Sequence, residues 1–374
     1  MAVPMTPPLA RPEASPIPAG ARLEIDPALG TLADVARDPR VDDRAQARLD
    51  EVTMVLSTDL AWLAAALAEA CDRGVTPARE AAAHLTGAGG KRVRPLATIL
   101  SAAAANGLSG DRSPRARAVA LAAELIHSAT LLHDDVIDDS AERRGRPTSR
   151  IVWGNAVSVL AGDLLLTHAL EVVHPLDGAD GRILGDLLAT LRKMVDGEVV
   201  QLRSRASLDL SELTYERIVQ GKTAALFSWA CRSGARAARG DERVAVALGA
   251  YGAHVGVAFQ LVDDLLDLVG DPAVTGKSLC ADLREGKPTL PLLRAIGKSP
   301  ALLEKVRRLR DAEPDLALAE EVSRAIVTSG ACDEVRARAA TESQRALVAL
   351  DGVPAGPARE ALAGVARDLC DRIS

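Results

Sequence analysis

The chain has 374 residues, of which 48% are apolar and only 2% aromatic, and its formal net charge is −6. The apolar fraction is enough for a large buried core, and the scarcity of aromatic and β-branched runs argues against a sheet protein. The acidic balance, with no block of Lys or Arg, argues against nucleic acid as a partner.

The N-terminal stretch differs in composition from the rest of the chain. Residues 1–22 hold six of the 20 prolines, so we expect a disordered Pro-rich tail over 1–44 and one helical domain over 45–374. The five cysteines are scattered without a CxxC pair, which favours reduced thiols and a cytoplasmic location. No signal-peptide layout and no uncharged apolar run of membrane-spanning length is visible, so we expect no transmembrane segment.

Helical periodicity dominates the remainder of the chain. From Ala45 to Cys71 apolar residues recur at three- and four-residue steps, which predicts a helix. The same pattern predicts helices over 77–85, 95–106, 114–140, 155–173, 181–203, 211–238, 241–269 and 288–297, and several shorter ones between 300 and 372. A large all-α, single-domain antiparallel helix bundle is therefore the expected fold.

The first chemistry-bearing segment is a D-D-x-x-D sequence at the end of a predicted helix. It contains Asp134, Asp135 and Asp138, followed by Arg143 and Arg144. Asp134 and Asp138 share a helix face because they are four residues apart. Clustered like charges destabilise a helix unless cations compensate them, so this segment indicates a cation site rather than a solvated helix end.

A second D-D-x-x-D sequence follows 129 residues later, with Asp263, Asp264 and Asp267 set among apolar residues. Carboxylates on a largely buried helix are costly unless they are paired or bind metal. Two such faces opposed across a bundle would form a carboxylate cage. Mg²⁺ holding a diphosphate fits such a cage best, because Mg²⁺ prefers oxygen ligands and keeps phosphate oxygens and waters in its coordination shell.

A glycine-rich turn lies nearer the N-terminus. Residues 87–90 contain three glycines and precede Lys91, Arg92 and Arg94, a combination that suits phosphate binding through amides and cations. The spacing is not that of a Walker A loop, and an ordinary basic loop would be about as common. His127 lies two helical turns before Asp134 and shares its face.

Together these segments resemble the trans-polyprenyl diphosphate synthase family, from about Ala45 to the C-terminus. The segments that carry the resemblance, in chain order, are GGKRVRP, ELIHSATLLHDDVIDDSAERRGRPT, GNAVSVLAGDLLL, DGEVVQL, GKTAALF, FQLVDDLLDLVGD and GKSLCADLREGKPTLPLL. The resemblance implies the isoprenoid-synthase type of helix bundle with a central substrate cavity. It also implies a transferase that condenses isopentenyl diphosphate with an allylic diphosphate of the farnesyl or geranyl type, commonly as a homodimer.

The resemblance assigns roles to particular positions. The metal ligands would be Asp134, Asp135, Asp138, Asp263, Asp264 and Asp267. They would hold three Mg²⁺ ions per site, for which Mn²⁺ could substitute. The allylic diphosphate would be bound by Arg143, Lys222, Thr223, Gln260 and Lys277. Isopentenyl diphosphate would be bound by Lys91, Arg94, His127 and Arg144. The residues expected to carry catalysis are Asp134, Asp138, Asp263, Lys222 and Arg143.

Product length should depend on how far the growing tail extends into the bundle. Ala129 and Thr130, just before Asp134, are small, whereas the resemblance implies that bulky aromatic residues at these positions would end growth early. We therefore expect a C35–C50 product of the octaprenyl type. A block at Leu125 or from another helix would defeat this expectation and favour geranylgeranyl diphosphate.

Three other classes of protein remain to be distinguished. A terpene cyclase would share the D-D-x-x-D segments but would not need the GGKRVRP and Arg143–Arg144 elements. A non-catalytic subunit of a heteromeric synthase should have lost aspartates that are all present here. A di-iron bundle would need E-x-x-H spacing, which is absent around both clusters.

Overall fold

The computed structural model describes residues 43–107, 113–176, 182–269, 281–311 and 316–371. Sixteen α-helices lie within these ranges, and the only strands there are two short ones that form a hairpin. The first helices are α1 (Asp43–Asp72), α2 (Ala78–Thr86), α3 (Val93–Asn106), α4 (Pro114–Ile137), α5 (Ser149–Trp153), α6 (Asn155–Val173), α7 (Arg182–Ser207) and α8 (Glu212–Val219). The remaining ones are α9 (Ala225–Ala237), α10 (Glu242–Val269), α11 (Ala281–Arg284), α12 (Leu290–Lys298), α13 (Leu302–Asp311), α14 (Leu316–Thr328), α15 (Ala331–Ala349) and α16 (Pro357–Asp371).

Non-α elements connect some of these helices. Strands β1 (Glu142–Arg143) and β2 (Arg146–Pro147) pair antiparallel between α4 and α5. A π-helix, Gln220–Ala224, joins α8 to α9, and 3₁₀ turns follow α6 and α15.

The all-α fold predicted from the sequence is confirmed, and most predicted helices agree with the observed ones within a few residues. Two details differ from the prediction. The segment 211–238 is helical without a break, but an unpredicted π-helical turn, Gln220–Ala224, lies within it. The helix predicted over 114–140 ends at Ile137, because Asp139 takes a left-handed conformation with φ 55° and starts the turn into the hairpin.

Three apolar clusters hold the bundle together. The first joins α1, α2, α4, α6, α7 and α9; the second joins α10 to the C-terminal helices α12–α15; the third joins α3, α9, α10 and α16. Leucine and alanine predominate, so helices approach closely, and each fully buried leucine contributes about 1.5–3 kcal/mol relative to exposure. Helices α4 and α10, which carry the two aspartate segments, are both central in this arrangement.

Burial also bears on the cysteines and on membrane insertion. Cys71, Cys231 and Cys332 are free and buried, as expected of reduced thiols, whereas the side chains of Cys280 and Cys370 lie outside the described part of the chain. Two helical stretches, Asn155–Leu176 and Glu242–Val269, are long and apolar enough to cross a membrane by length and composition alone. Core helices of bundles meet the same criterion, and 56% of the apolar window of α10 is buried inside the protein.

Candidate active site

The first aspartate segment lies where α4 ends. Asp134 and Asp135 belong to its last turn, and Asp138 is the C-cap residue, whose backbone N–H donates to the Asp134 carbonyl at 2.8 Å. The side chains of Asp134 and Asp138 are only 15% and 6% exposed. Burial of charged carboxylates requires partners, and the partners come from distant parts of the chain.

Arg143 of β1 folds back onto the buried Asp135. Its Nε donates to Asp135 Oδ1 at 2.8 Å. Burial raises the pKa of Asp135, and Arg143 offsets part of that effect. The structure therefore brings these two predicted site residues together as an ion pair.

Asp138 is held by two cations from other elements. Arg205, at the end of α7, donates to Oδ1 at 2.6 Å, and the ammonium of Lys287 lies 3.0 Å from Oδ2. Burial alone would raise the pKa of Asp138, but the charges of Lys287, Lys222 and Arg205 outweigh burial and hold it below its ordinary value. Asp138 is thus an anion at neutral pH, with both oxygens occupied by cations.

The π-helix places Lys222 and Thr223 between the two aspartate segments. Lys222 Nζ lies 3.3 Å from Asp134 and 2.5 Å from Glu198 of α7, and the Thr223 hydroxyl donates to Gln260 Oε1 of α10 at 2.8 Å. π-Helical turns are rare and occur often at functional sites. Here the turn links α4, α7 and α10 through two adjacent side chains.

Glycines allow this close approach. A Cβ added to Gly197 of α7 would lie 3.0 Å from the Lys222 nitrogen, and one added to Gly221 would lie 2.7 Å from the Lys193 carbonyl. Any larger residue would push the π-helix away from α7 and move Lys222 with it.

The second aspartate segment is more deeply buried than the first. Asp264, 2% exposed, accepts hydrogen bonds from the Tyr215 hydroxyl at 2.6 Å and from Gln260 Nε2 at 2.9 Å. Burial, together with the charges of Asp282 and Asp263, raises the pKa of Asp264 to about 8. This carboxyl group therefore needs either a proton or an added cation at neutral pH.

The other carboxylates of the second segment lie along the same helix. Asp267 is buried and accepts the backbone N–H of Asp282 at 3.2 Å, while Asp263 is half-buried. Asp282 lies 3.9 Å from Lys287, which also binds Asp138. The two aspartate segments are therefore linked indirectly, through Lys287 and Asp282 on one side and through Lys222, Thr223 and Gln260 on the other.

No group of three His, Cys, Asp or Glu side chains in the described residues is arranged to hold a metal ion. The physical reason is visible at the first segment, where lysine and arginine side chains occupy the carboxylate oxygens. The donor chemistry nevertheless suits Mg²⁺, because every candidate ligand is a carboxylate oxygen and Asp264 has no cation to balance it among its hydrogen-bond partners.

A second, basic group of residues lies beside the first aspartate segment. The guanidinium of Arg94 stacks 4.6 Å from the Phe227 ring centroid, and burial lowers its pKa to about 10. Arg144 donates to the Gly89 carbonyl of the glycine-rich turn. Burial and the charges of Arg94 and Arg144 hold the pKa of His127 well below its usual range, so this ring is neutral.

Three of the four residues predicted to bind isopentenyl diphosphate thus converge: Arg94, His127 and Arg144. Lys91 is exposed in the same loop. Arg92, which the prediction left out, is paired with the buried Glu124 and donates to the Thr86 carbonyl at 2.9 Å. The Arg92–Glu124 pair and the Arg144–Gly89 hydrogen bond both hold the glycine-rich loop in place.

Residues near the end of α4 were proposed to set product length. Ala129 is 1% exposed, and the Thr130 hydroxyl donates to the His127 carbonyl of its own helix at 2.8 Å. Ala129 belongs to the first apolar cluster. That these residues line a tunnel stays a prediction.

Sequence reasoning missed three residues that the fold brings to the site: Glu198, Arg205 and Tyr215. Glu198, Gln201 and Arg205 recur at three- and four-residue steps along α7, a polar stripe that could have indicated a site-facing surface. No local pattern marks Tyr215, because its partner Asp264 is 49 residues away. Lys277, the remaining predicted ligand of the allylic diphosphate, lies outside the described residues.

A surface pocket of about 610 Å³ lies elsewhere and contains none of the predicted site residues. Its lining comes from α10 and α15, namely His254, Ala340, Thr341, Gln344, Arg345, Val348 and Ala349.

Comparison with known proteins gives a consistent result. Residues 76–325 match the family described as polyprenyl synthetase. An all-trans-nonaprenyl-diphosphate synthase (geranyl-diphosphate specific) of Rhodobacter capsulatus is 37% identical over 78% of this chain and 87% of its own length. The octaprenyl diphosphate synthase of Escherichia coli K12 is 36% identical over 85% of this chain and 97% of its own.

A solved structure is similar at the level of the whole fold. The polyprenyl synthase from Caulobacter crescentus CB15, complexed with calcium and isoprenyl diphosphate, superimposes with a TM-score of 0.80 at 38% identity. The similarity covers 87% of this chain and 98% of that one.

Proposed function

The chain belongs to the polyprenyl synthetase family, and from this premise we propose that it condenses isopentenyl diphosphate with an allylic diphosphate to make a polyprenyl diphosphate. The observation that carries the proposal is the linkage of the two aspartate segments through Lys287 and through the π-helix residues Lys222 and Thr223, with a separate basic cluster beside them. One site is suited to a metal-bound diphosphate and the other to a diphosphate alone. A reaction that joins two diphosphate substrates needs both.

The allylic diphosphate would bind between the aspartate segments. Its metal ions would be held by Asp134, Asp135, Asp138, Asp263, Asp264 and Asp267. When bound, Mg²⁺ would supply Lewis-acid stabilisation of the charge on the departing diphosphate. The structure of the Caulobacter crescentus protein with calcium and isoprenyl diphosphate supports a site of this kind in the family.

The protein's own cations would stabilise the same developing charge. Lys222 and Arg143, now bound to Asp134 and Asp135, would turn to diphosphate oxygens once metal ions neutralise those carboxylates. Thr223 and Gln260, hydrogen-bonded to each other at 2.8 Å, would orient the diphosphate, with Lys277 as a further ligand. Thr223 and Gln260 already hold each other in place before substrate arrives, and groups positioned in advance give the most effective electrostatic stabilisation.

The basic cluster would position the second substrate. Arg94, Arg144 and the neutral His127, together with Lys91, would bind the diphosphate of isopentenyl diphosphate and leave its double bond beside the allylic carbon. The C–O bond of the allylic substrate breaks, the isopentenyl double bond supplies the electron pair for the new C–C bond, and a proton leaves to the released diphosphate. An apolar surrounding of Ala129 and its cluster would keep water from the carbocation.

For product length we propose C35–C50. The support is the small size of Ala129 and Thr130 and the similarity to relatives whose names specify octaprenyl and nonaprenyl products. The competing product is geranylgeranyl diphosphate. A terpene cyclase or a non-catalytic subunit would leave the basic cluster without a function.

The direct test supplies purified protein with farnesyl diphosphate, excess isopentenyl diphosphate and Mg²⁺, and sizes the dephosphorylated products by mass spectrometry. A ladder that ends between C35 and C50 supports the proposal in full. A stop at C20 keeps the elongation mechanism and rejects the length. No elongation by a folded, Mg²⁺-binding protein rejects the elongation itself and favours a cyclase or a subunit.

A further inference from the structure

We propose that Arg205, at the end of α7, is a further binding residue for the allylic diphosphate, released to this substrate when Asp138 takes up a metal ion. The resemblance assigns no role to this position. The inference rests on the proposed elongation reaction, and it adds a cation from a helix that supplies none of the residues assigned to that substrate.

Polar residues on one face of α7 follow the first aspartate segment. Glu198 contacts Lys222 at 2.5 Å, and Lys222 also lies 3.3 Å from Asp134. Seven residues further along α7, Arg205 binds Asp138. Residues seven apart lie about two turns along the same face of a helix. This face of α7 therefore runs beside the aspartate segment and places Arg205 at its C-terminal end.

The two cations on Asp138 differ in what else they contact. Lys287 lies 2.5 Å from Glu285 and 3.9 Å from Asp282, so it keeps two carboxylates when it leaves Asp138. In the described part of the chain, the side chain of Arg205 pairs with Asp138 alone. Uptake of a metal ion by Asp138 therefore deprives Arg205 of its anion, whereas Lys287 retains two.

The guanidinium of Arg205 needs a new partner because its side chain is only 23% exposed. A partly buried charge is costly unless it is paired or hydrated. A diphosphate bound through a metal ion on Asp138 would bring phosphate oxygens next to the position that this guanidinium fills now. Arginine presents several N–H donors in one plane and binds phosphate oxygens in pairs, so the diphosphate is the anion that suits Arg205 best.

The other two aspartates of this segment show the same arrangement. Arg143 donates to Asp135 at 2.8 Å, and Lys222 lies 3.3 Å from Asp134. Both of these cations are assigned to the allylic diphosphate. Arg205 completes the set, because each of the three carboxylates then holds one cation that the substrate takes over. The three cations come from β1, the π-helix and α7, and so surround the aspartate segment.

Arg205 is by this argument both a competitor of the metal ion and a ligand of the diphosphate. Removal of its guanidinium should ease metal binding to Asp138 and weaken diphosphate binding. A residue that only blocks Asp138 would show the first effect alone, and a residue that only holds Asp138 in position would weaken both. Opposite changes in the two affinities are therefore specific to the proposed role.

The test compares Arg205→Gln with the wild type in binding measurements without isopentenyl diphosphate. The concentration of Mg²⁺ that half-saturates the protein, measured by thermal unfolding, should fall about 3-fold in the variant. The Kd for farnesyl diphosphate at saturating Mg²⁺, measured by calorimetry, should rise about 10-fold. Arg205→Lys keeps the charge but loses the paired donors, so its Kd for farnesyl diphosphate should lie between the two. Arg203→Gln is the matched control, because Arg203 is exposed on the same helix and its loss should change neither constant.

Each outcome decides the inference. Tighter Mg²⁺ binding together with weaker farnesyl diphosphate binding in Arg205→Gln, and neither change in Arg203→Gln, supports it. Any other combination overturns it: tighter Mg²⁺ binding alone, weaker binding of both ligands, no change in either, or the same changes in Arg203→Gln.

Kinetics separate this inference from the proposed reaction. In the elongation assay described above, Arg205→Gln should raise KM for farnesyl diphosphate about 10-fold and leave KM for isopentenyl diphosphate nearly unchanged, and a parallel rise in both constants overturns the inference. A wild type that binds farnesyl diphosphate with Mg²⁺ but does not elongate it rejects the proposed reaction, and the binding comparison still decides the role of Arg205. A wild type that binds no farnesyl diphosphate overturns both.

Discussion

Asp264 illustrates how one side chain can be unsuited to its surroundings until a ligand arrives. It is buried, it accepts hydrogen bonds from Tyr215 and Gln260, and its pKa is raised to about 8 by burial and by neighbouring carboxylates. Because the raised pKa belongs to the folded state, the protonated form stabilises the fold and ionisation destabilises it.

The upward direction of this pKa shift determines how the stability of the metal-free protein depends on pH. Between the ordinary carboxyl pKa near 4 and the folded-state pKa of about 8, the free energy of unfolding should fall as pH rises. The contribution of Asp264 to this fall is about 1.4 kcal/mol per pH unit. Asp264→Asn should remove this contribution. Denaturant unfolding in EDTA at pH 5 and pH 7.5 measures it, with Asp351→Asn, at an exposed side chain, as the control. Equal pH dependence in wild type and Asp264→Asn would show that this carboxyl group is ionised throughout.

Arg94 and Arg143 should have separable effects on the two substrates. Arg94 lies in the basic cluster and Arg143 binds Asp135. Loss of one charged hydrogen bond costs about 2 kcal/mol, which is roughly a 30-fold change in affinity. We expect Arg94→Gln to raise KM for isopentenyl diphosphate by that factor and to leave KM for the allylic diphosphate nearly unchanged, and Arg143→Gln to do the reverse. Steady-state kinetics with each substrate varied checks this, and parallel changes in both constants would contradict two separate sites.

At the scale of the element, periodicity was a good guide to where helices lie and a poor guide to interruptions. The helix over Asn155–Val173, which is almost continuously apolar, was predicted to the residue. The π-helix Gln220–Ala224 was missed because its cause is tertiary: Gly221 must fit against Gly197 of another helix. The aspartates were found because their spacing is local, whereas Arg205 and Tyr215 were missed because their partners are 67 and 49 residues away.

The glycine contact at the π-helix gives a prediction about this element. Gly221→Ala would place a Cβ 2.7 Å from the Lys193 carbonyl, and overpacking of this kind costs about 1–3 kcal/mol. We expect a lower free energy of unfolding and a lower kcat, since Lys222 is displaced. Gly185→Ala, on the same helix α7 as Gly197, is the matched control: its Cβ meets nothing within 4 Å, so helix propensity should make it neutral or stabilising by up to about 1 kcal/mol. Equal stability in both variants would mean that the π-helix has room to shift.

For the whole molecule, the charged end of the bundle is cross-linked by ion pairs between elements that are distant in sequence. Cations from β1, α7, the π-helix and the segment after α11 all bind the first aspartate segment: Arg143, Arg205, Lys222 and Lys287. These contacts tie α4 to four other parts of the chain. Metal and diphosphate together would replace them with a larger set of contacts, because the metal takes the carboxylates and the diphosphate takes the cations.

This exchange predicts cooperative stabilisation by Mg²⁺ and inorganic pyrophosphate. Mg²⁺ alone must displace Lys287 and Arg205 from Asp138, and pyrophosphate alone must approach carboxylates, so each should raise the thermal midpoint only slightly. Together they should raise the thermal midpoint by more than the sum of their separate shifts, since a ligand at 100 times its Kd contributes about 2.7 kcal/mol.

Lys287→Gln frees one oxygen of Asp138, so Mg²⁺ alone should then stabilise this variant more than it stabilises the wild type. Lys305→Gln, at an exposed pair with Glu321, is the control, and thermal unfolding with each ligand combination is the measurement. Strictly additive shifts in the wild type would show that metal and diphosphate do not share one site, and the two aspartate segments would then need a different explanation.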